Sequence, residues 1–257
     1  MALLILACEA GLVVTVHHVD HGLRPGSSRD VDVIAPVAEG LGARLVIHSV
    51  DVSHGPNLEA RAREARQAVF PVGTMTGHTA DDQAETLLIN LLRGASAHGL
   101  AAMRPSHDRP LLALRRSETR AVCEQHGVLP VDDETNTDPR FLRNRVRHEL
   151  LPLIADISGR DPVPILLRTS DLLRDDDDLL DELASTIDPT DARALADAPL
   201  PLARRAIRAW LADPYPPDLA TVERVLRVAR GEVPGCDVGH NRQVRRSKQR
   251  MSLHRVR

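Results

Sequence analysis

The sequence predicts an α/β fold: a Rossmann-like parallel sheet flanked by helices, followed by a small, mostly helical domain. Three observations predict it. Before about residue 153, short apolar β-branched runs alternate with amphipathic stretches, the pattern of βαβ units and a parallel sheet. Polar residues gather where those runs end, and open α/β sheets hold their ligands at the carboxyl ends of strands. After Leu150-Leu151-Pro152 no strand-like run occurs until the last twenty residues. The expected division is therefore 1–153 and 154–257.

The elements follow in order. Met1 to Ala10 reads as a helix already under way, stopped by Gly11. Leu12 to His17 reads as a strand buried on both faces. Asp30 to Leu41 reads as a helix stopped by Gly42, Arg44 to Val50 as a strand, and Asn57 to Val69 as a helix rich in Arg and Ala. Val72-Gly73-Thr74-Met75-Thr76 reads as a short buried strand, and the segment through Leu92 as a helix. Arg93 to Leu100 is a glycine-containing loop. Ser117 to His126 predicts another helix. Pro139 suits the first position of a further helix, whose spacing puts Arg140, Arg143 and Arg147 on one stripe. Pro162 to Leu183, Pro201 to Leu211 and Leu219 to Val228 read as amphipathic helices. Gln243 to Arg246 and Arg250 to His254 read as a basic hairpin or a frayed tail.

Composition excludes several classes. Aromatic residues are 2% of the chain, so stacking platforms for single-stranded bases are nearly absent. The net charge is −3, yet the final segment is rich in arginine. Asp175 to Asp178 reads as a solvated acidic face. Cys8, Cys123 and Cys236 lie far apart without ligand spacing, which points to a reducing compartment and away from zinc. No apolar run reaches membrane-spanning length and no signal peptide is evident, so a soluble cytoplasmic protein without membrane contact is expected.

The chain is organised around Gly77-His78-Thr79-Ala80-Asp81-Asp82-Gln83-Ala84-Glu85-Thr86. Asp81 and Asp82 fall in a first helical turn, where carboxylates suit the positive end of the helix dipole. Asp82 and Glu85, three apart, share a face. An isolated acidic pair there would simply cap the helix. His17, His18, Asp20 and His21 cluster at a strand end. With no partner cluster they are read as contacts to nucleotide or RNA, not as a metal site.

Beyond these, His18-Val19-Asp20-His21-Gly22-Leu23-Arg24, His78-x-x-Asp81-Asp82-Gln83-x-Glu85-Thr86, Arg93-Gly94, Arg109-Pro110-Leu111-Leu112 and Asp133-x-x-Asn136-x-Asp138 with Arg143-Asn144-x-x-Arg147 occur in a fixed order. That ordered set resembles the tRNA(Ile)-lysidine synthases of the PP-loop, or N-type, ATP pyrophosphatase superfamily. It covers roughly residues 12 to 153. The resemblance implies a reaction. ATP, accompanied by Mg2+, adenylates the C2 oxygen of the wobble cytidine of a tRNA(Ile) with a CAU anticodon and releases pyrophosphate. The amine of L-lysine then displaces AMP.

The resemblance also implies roles. Asp82 and Glu85 would hold the lysine side chain, whose amine has a solution pKa near about 10.4 and must lose a proton to attack. His78 would stand near the nucleotide or the reacting base. Arg66, with Arg63 as fallback, would neutralise phosphate or carboxylate charge. His18, Asp20, His21, Arg93 and Gly94 would contact the nucleotide. Arg143, Asn144, Arg147, Asp133 and Asn136 would contact the tRNA or phosphates, with the helical part as tRNA contact. Family members often form homodimers.

Two departures set further expectations. The family's S-G-G-x-D-S loop, which cradles pyrophosphate through backbone N–H groups, is not in this sequence. Met1-Ala2-Leu3-Leu4 matches the residues that follow that loop. Met1 is then an internal methionine, or the gene copy is truncated, and the 257-residue chain alone is expected to show little ATP-dependent activity. The connection from Phe70 to Val72 is also short, which threatens the placement of Arg66. Two other readings stand beside the leading one. A catalytically impaired tRNA-binding remnant fits the absent loop. A PP-loop tRNA thiolase would need clustered cysteines.

Overall fold

The computed structural model describes residues 1–20, 28–50, 61, 65, 67–128 and 138–256. It divides into two compact units, Met1–Ser170 and Asp171–Arg257.

In the first unit, α1 (Ala2–Glu9) leads to β1 (Thr15–Asp20), α2 (Ser28–Gly40) and β2 (Arg44–Ser49). Gly11 and Gly42 close the two helices with φ of +78° and +68°, a backbone that disfavours side chains bearing a Cβ. β1 and β2 pair in parallel from Thr15↔Arg44 to Asp20↔Ser49, so β1–α2–β2 is one βαβ unit. The expected first strand at 12–17 is shifted. Leu12 and Val13 are 51% and 104% exposed, and pairing begins only at Thr15. With one partner strand among the described residues, β1 is not buried on both faces.

The expected strand at 72–76 is absent. A strand needs a ladder partner, and this segment has only turn-like and single bonds: Thr74 N–H donates to Pro71 O and Thr76 N–H to Asp108 O. Val72 is fully exposed.

α3 (Ala80–Leu92) follows. Ala80, Ala84, Leu87 and Leu88 form the i, i+4, i+7, i+8 stripe of a core-facing helix. They pack against Val146, Leu151 and Val163. Burying each leucine stabilises by roughly 1.5–3 kcal/mol. Gln83, also buried, makes a paired amide: its Nε2 donates to Met103 O and its Oε1 accepts from Met103 N–H, both at 2.7 Å. α4 (Ala97–Leu100) and α5 (Arg116–Gln125) come next.

A continuous helical rod then spans α6 (Leu142–Arg145), a π-helical turn (Val146–Leu150) and α7 (Leu151–Ser158). Pro139 lies in the preceding turn and Phe141 is the N-cap, so the helix starts later than proline preference suggested. α8 (Pro162–Ser185) begins in the first unit and ends in the second.

The second unit continues through α9 (Ala192–Asp197), α10 (Leu200–Trp210) and α11 (Leu219–Ala229) to an antiparallel sheet β3-β4-β5 (Gly235–Gly239, Arg242–Ser247, Arg250–Arg255). The basic end is neither a lone hairpin nor a tail. Val238, Val244 and Met251 enter one core with Leu195, Ile207, Leu211, Val225 and Leu226. Arg246 is partly structural there: its Nη1 donates to Ala229 O at 2.7 Å, closing the carboxyl end of α11. The Asp175–Asp178 run is not uniformly solvated. Asp177 is fully buried and meets Arg205 at 2.7 Å.

Candidate active site

The amino end of α3 is built by local rules. Thr79 is its N-cap, and Asp82 at N3 completes a capping box by accepting from Thr79 N–H and Thr79 Oγ1, both at 2.8 Å. Asp82 Oδ2 is thereby held and Oδ1 points to the arginines. Glu85, one turn on, lies on the core side of the helix and is 0% exposed. A carboxylate so buried needs partners, and three arginines supply them. Oε1 accepts from Arg116 Nη2 at 2.8 Å and Arg147 Nε at 2.7 Å. Oε2 accepts from Arg143 Nε at 2.8 Å and Arg147 Nη2 at 3.1 Å.

Asp82 Oδ1 joins the same network, taking Arg143 Nη2 at 2.9 Å and Arg116 Nη2 at 3.2 Å, with Arg147 Nη2 at 3.6 Å. Burial pushes the Asp82 carboxyl up. The hydrogen bonds from Thr79 and the charges of Arg143 and Arg116 outweigh it and hold the group below the ordinary aspartate value. Asp81 faces away into a second pin. It accepts from Arg115 Nε and Nη2 at 3.2 Å and from Arg116 N–H at 2.7 Å, and Arg115 also pairs with Asp161. Burial raises the Asp81 carboxyl, but these donors bring it below its usual value.

Three arginines from two segments distant in sequence thus converge on two carboxylates of α3. Three guanidiniums against two carboxylates leave a net positive charge. The side chains of Arg116, Arg143 and Arg147 remain 36%, 31% and 23% exposed, so the charge faces outward. Such a cluster can bind an anion and hold a second group beside Asp82.

A PP-loop domain model matches residues 1–154. A tRNA(Ile)-lysidine synthase from Nocardia farcinica is 38% identical over 99% of this chain and 88% of its own length. This chain belongs to the tRNA(Ile)-lysidine synthase family. Relatives of the same name from Rhodococcus erythropolis and Mycobacterium leprae are 43% and 42% identical, over 75% and 77% of this chain. The match spans 64% of the Rhodococcus protein and 67% of the Mycobacterium protein. A U34-tRNA thiolase from Methanococcus maripaludis, solved with its 4Fe-4S cluster, shares the α/β fold with a TM-score of 0.50. It is 14% identical and covers 67% of this chain and 68% of its own.

The lysidine synthase motifs do not all meet. Asp82, Glu85, Arg143 and Arg147 come together. Arg140 leaves its expected stripe and pairs with its neighbour Asp138, because the helix starts only at Leu142. Asn144 Nδ2 donates to Asp138 O at 2.9 Å and fixes that turn. His78 Nδ1 lies 2.8 Å from Thr76 Oγ1, one residue before the N-cap. Arg93 and Gly94 sit at the other end of α3, about 16 Å from Asp82 at 1.5 Å per residue. His18 and Asp20 lie on β1, and His18 Nε2 is buried without a partner among the described residues. Arg66, Arg63, His21, Asp133 and Asn136 lie outside the described residues.

Sequence reasoning missed Arg115, Arg116 and Asp161. A signal existed. Two adjacent arginines at the amino end of a helix oppose the helix dipole, so carboxylate partners were to be sought for them. Among the described residues, no helix is long and apolar enough to cross a membrane.

Proposed function

We propose that this chain carries the lysidine-forming centre: the C2 oxygen of the wobble cytidine of tRNA(Ile) attacks the α-phosphorus of ATP and releases pyrophosphate, and the amine of L-lysine, losing a proton, then displaces AMP. The observation that carries this reading is the convergence of Arg116, Arg143 and Arg147 on Asp82 and Glu85.

The chemistry needs an anion site for phosphoryl groups and a carboxylate for an ammonium that must later lose a proton. The outward guanidiniums supply the first. Asp82, at the edge of the cluster with 15% of its side chain exposed, supports the second. An ammonium entering three guanidiniums is repelled unless an anion is already bound, which favours nucleotide before lysine. His78, Arg66 and the strand-end residues His18, Asp20 and His21 take the nucleotide-side roles in this reading. Residues 1–153 form the catalytic part and 154–257 the tRNA contact.

The three carboxylates of this site do not fit a magnesium cage, because Asp81, Asp82 and Glu85 are all turned into guanidiniums. Magnesium would travel on the phosphate oxygens of ATP, and no step depends on a protein ligand to it.

The test is incubation of the chain with a CAU tRNA(Ile) transcript, ATP and isotope-labelled lysine. Mass spectrometry of nuclease digests then reads the wobble nucleoside. Labelled lysidine supports the proposal. Salt-dependent tRNA binding without lysidine instead supports a tRNA-binding protein without catalysis, which the outward positive face also fits. The thiolase alternative draws no support from the cysteines, which are all free, with Cys123 buried and Cys236 in the second unit.

A further inference from the structure

Arg116 reaches Asp82 and Glu85 from the first residue of α5. Something must fix the point from which it reaches. The geometry points to Asp81: we propose that Asp81, backed by the Arg115 bridge to Asp161, is a positioning residue that anchors the main chain of Arg116 and so sets where its guanidinium meets Asp82 and Glu85. The proposal deepens the reading of that cluster as the reaction centre and rests on it.

The first support is where the Asp81 bonds go. A carboxylate in a first helical turn ordinarily serves its own helix. In α3 that task falls to Asp82, which closes the capping box with Thr79. Asp81 turns to α5 instead. Its Oδ2 accepts from the N–H of Arg116 at 2.7 Å, and its two oxygens accept from Nε and Nη2 of Arg115, both at 3.2 Å. One carboxylate thus grips two consecutive residues. The second of them sends Nη2 to Asp82 Oδ1 at 3.2 Å and to Glu85 Oε1 at 2.8 Å.

The second support is the bridge. Nε and Nη2 of Arg115 face Asp81 as a fork, a geometry that fixes orientation as well as distance. Its Nη1 pairs with Asp161. Asp161 Oδ1 in turn accepts from the N–H of Val163 at 3.0 Å, at the start of α8. Arg115 therefore joins the starts of α3, α5 and α8, and turning it would break bonds to all three. The third support is exposure. The side chains of Asp81, Arg115 and Asp161 are 16%, 33% and 48% exposed. Ion pairs this open to water add little stability, so their main consequence is geometric.

Charge and position make opposite forecasts for Asp81→Ala. The substitution removes a negative charge next to Asp82. If Asp81 acts through charge alone, the Asp82 carboxyl titrates lower than in the wild type, because a like charge has gone. If Asp81 anchors Arg116, the cation beside Asp82 Oδ1 is released and Asp82 titrates higher. Carbon-13 NMR titration of the side-chain carboxyls in the full chain reads the sign without turnover. In the lysidine assay the same variant is expected to lose about tenfold in kcat/KM for lysine, with KM for tRNA within about twofold of wild type. Asp81→Asn keeps an oxygen for the Arg116 N–H and is expected to recover about threefold of that loss.

Arg115→Gln is the second variant. It leaves Asp81 charged and cuts the bridge to Asp161, so it is expected to lose about threefold in kcat/KM for lysine even if Asp81→Ala does not fold. An Asp82 that titrates lower or unmoved in Asp81→Ala overturns the proposal. So does an unchanged kcat/KM for lysine in Asp81→Ala or Arg115→Gln, or a loss shared equally with tRNA. A wild-type chain that forms no lysidine fails the proposed reaction, and the Asp82 titration still decides whether Asp81 anchors Arg116.

Discussion

Each unit contains a fully buried carboxylate answered by arginine, and the two are wired in opposite ways. In the first, Glu85 is the centre and three guanidiniums surround it. In the second, Arg205 is the centre and bridges Asp177 and Asp181 at 2.7 and 2.6 Å. A central anion turns cations outward, and each guanidinium keeps donors to spare because it has five N–H groups. A central cation points one nitrogen, Nη1, at two carboxylates and ties two turns of α8 to α10. The same residue types thus make a surface for ligands in one place and a brace in the other.

The strongest way to break that comparison is to remove each centre. Glu85→Ala leaves three guanidiniums facing one another over a buried gap, and we expect a stability loss of about 3–5 kcal/mol in urea unfolding. Arg205→Met removes one ion-pair partner of the buried Asp177 carboxylate and should cost less, about 1–3 kcal/mol. It should leave pyrophosphate and tRNA binding unchanged. A brace variant that weakened anion binding would erase the distinction.

A smaller effect concerns acid. Asp81 and Asp82 both titrate below the ordinary value of 3.8 in the folded chain. Groups lowered in this way add stability that is complete above the unfolded value and disappears as pH falls through the folded one. Urea midpoints should therefore hold steady down to about pH 5 and drop below about pH 4. Asp82→Asn should flatten that drop, and a variant with an unchanged profile would remove Asp82 from the network's energetics. Smaller again is Thr79→Ala, which deletes the cap of α3 and should cost about 1 kcal/mol. Arg250→Ala, at an exposed pair with Asp188, should stay within about 0.5 kcal/mol.

Much of the fold could be read from periodicity and punctuation. Gly11 and Gly42 marked helix ends because positive φ is cheap only for glycine, and the apolar stripe of α3 marked its core face. The strand expected at 72–76 failed because apolar character does not supply a ladder partner. The final sheet was only partly legible, since Arg242, Arg245 and Arg246 look like a solvated tail until Val244 and Met251 are placed in a core. In the site, the i, i+3 spacing of Asp82 and Glu85 was readable from one helix. Their arginine partners were readable only in part, because the convergence of residues 116, 143 and 147 on residue 85 is a tertiary fact. The depth of Glu85 was not readable at all. A glutamate one turn from an N-cap is ordinarily solvated, and only the packing of α3 against Val146 and Leu151 seals it.

The π-helical turn at Val146–Leu150 gives the rod from Leu142 to Ser158 one residue more than a regular α-helix would need there. Such a surplus acts as a phase adjuster. Arg143 and Arg147 must address a charge, while Leu151 must meet an apolar layer a few residues later. A regular helix turns 100° per residue, so deleting a single residue between Arg147 and Leu151 would swing the remaining rod by about 100° and carry its apolar face out of register. Irregularity here is what lets one continuous helix serve two differently oriented neighbours without a break in the chain.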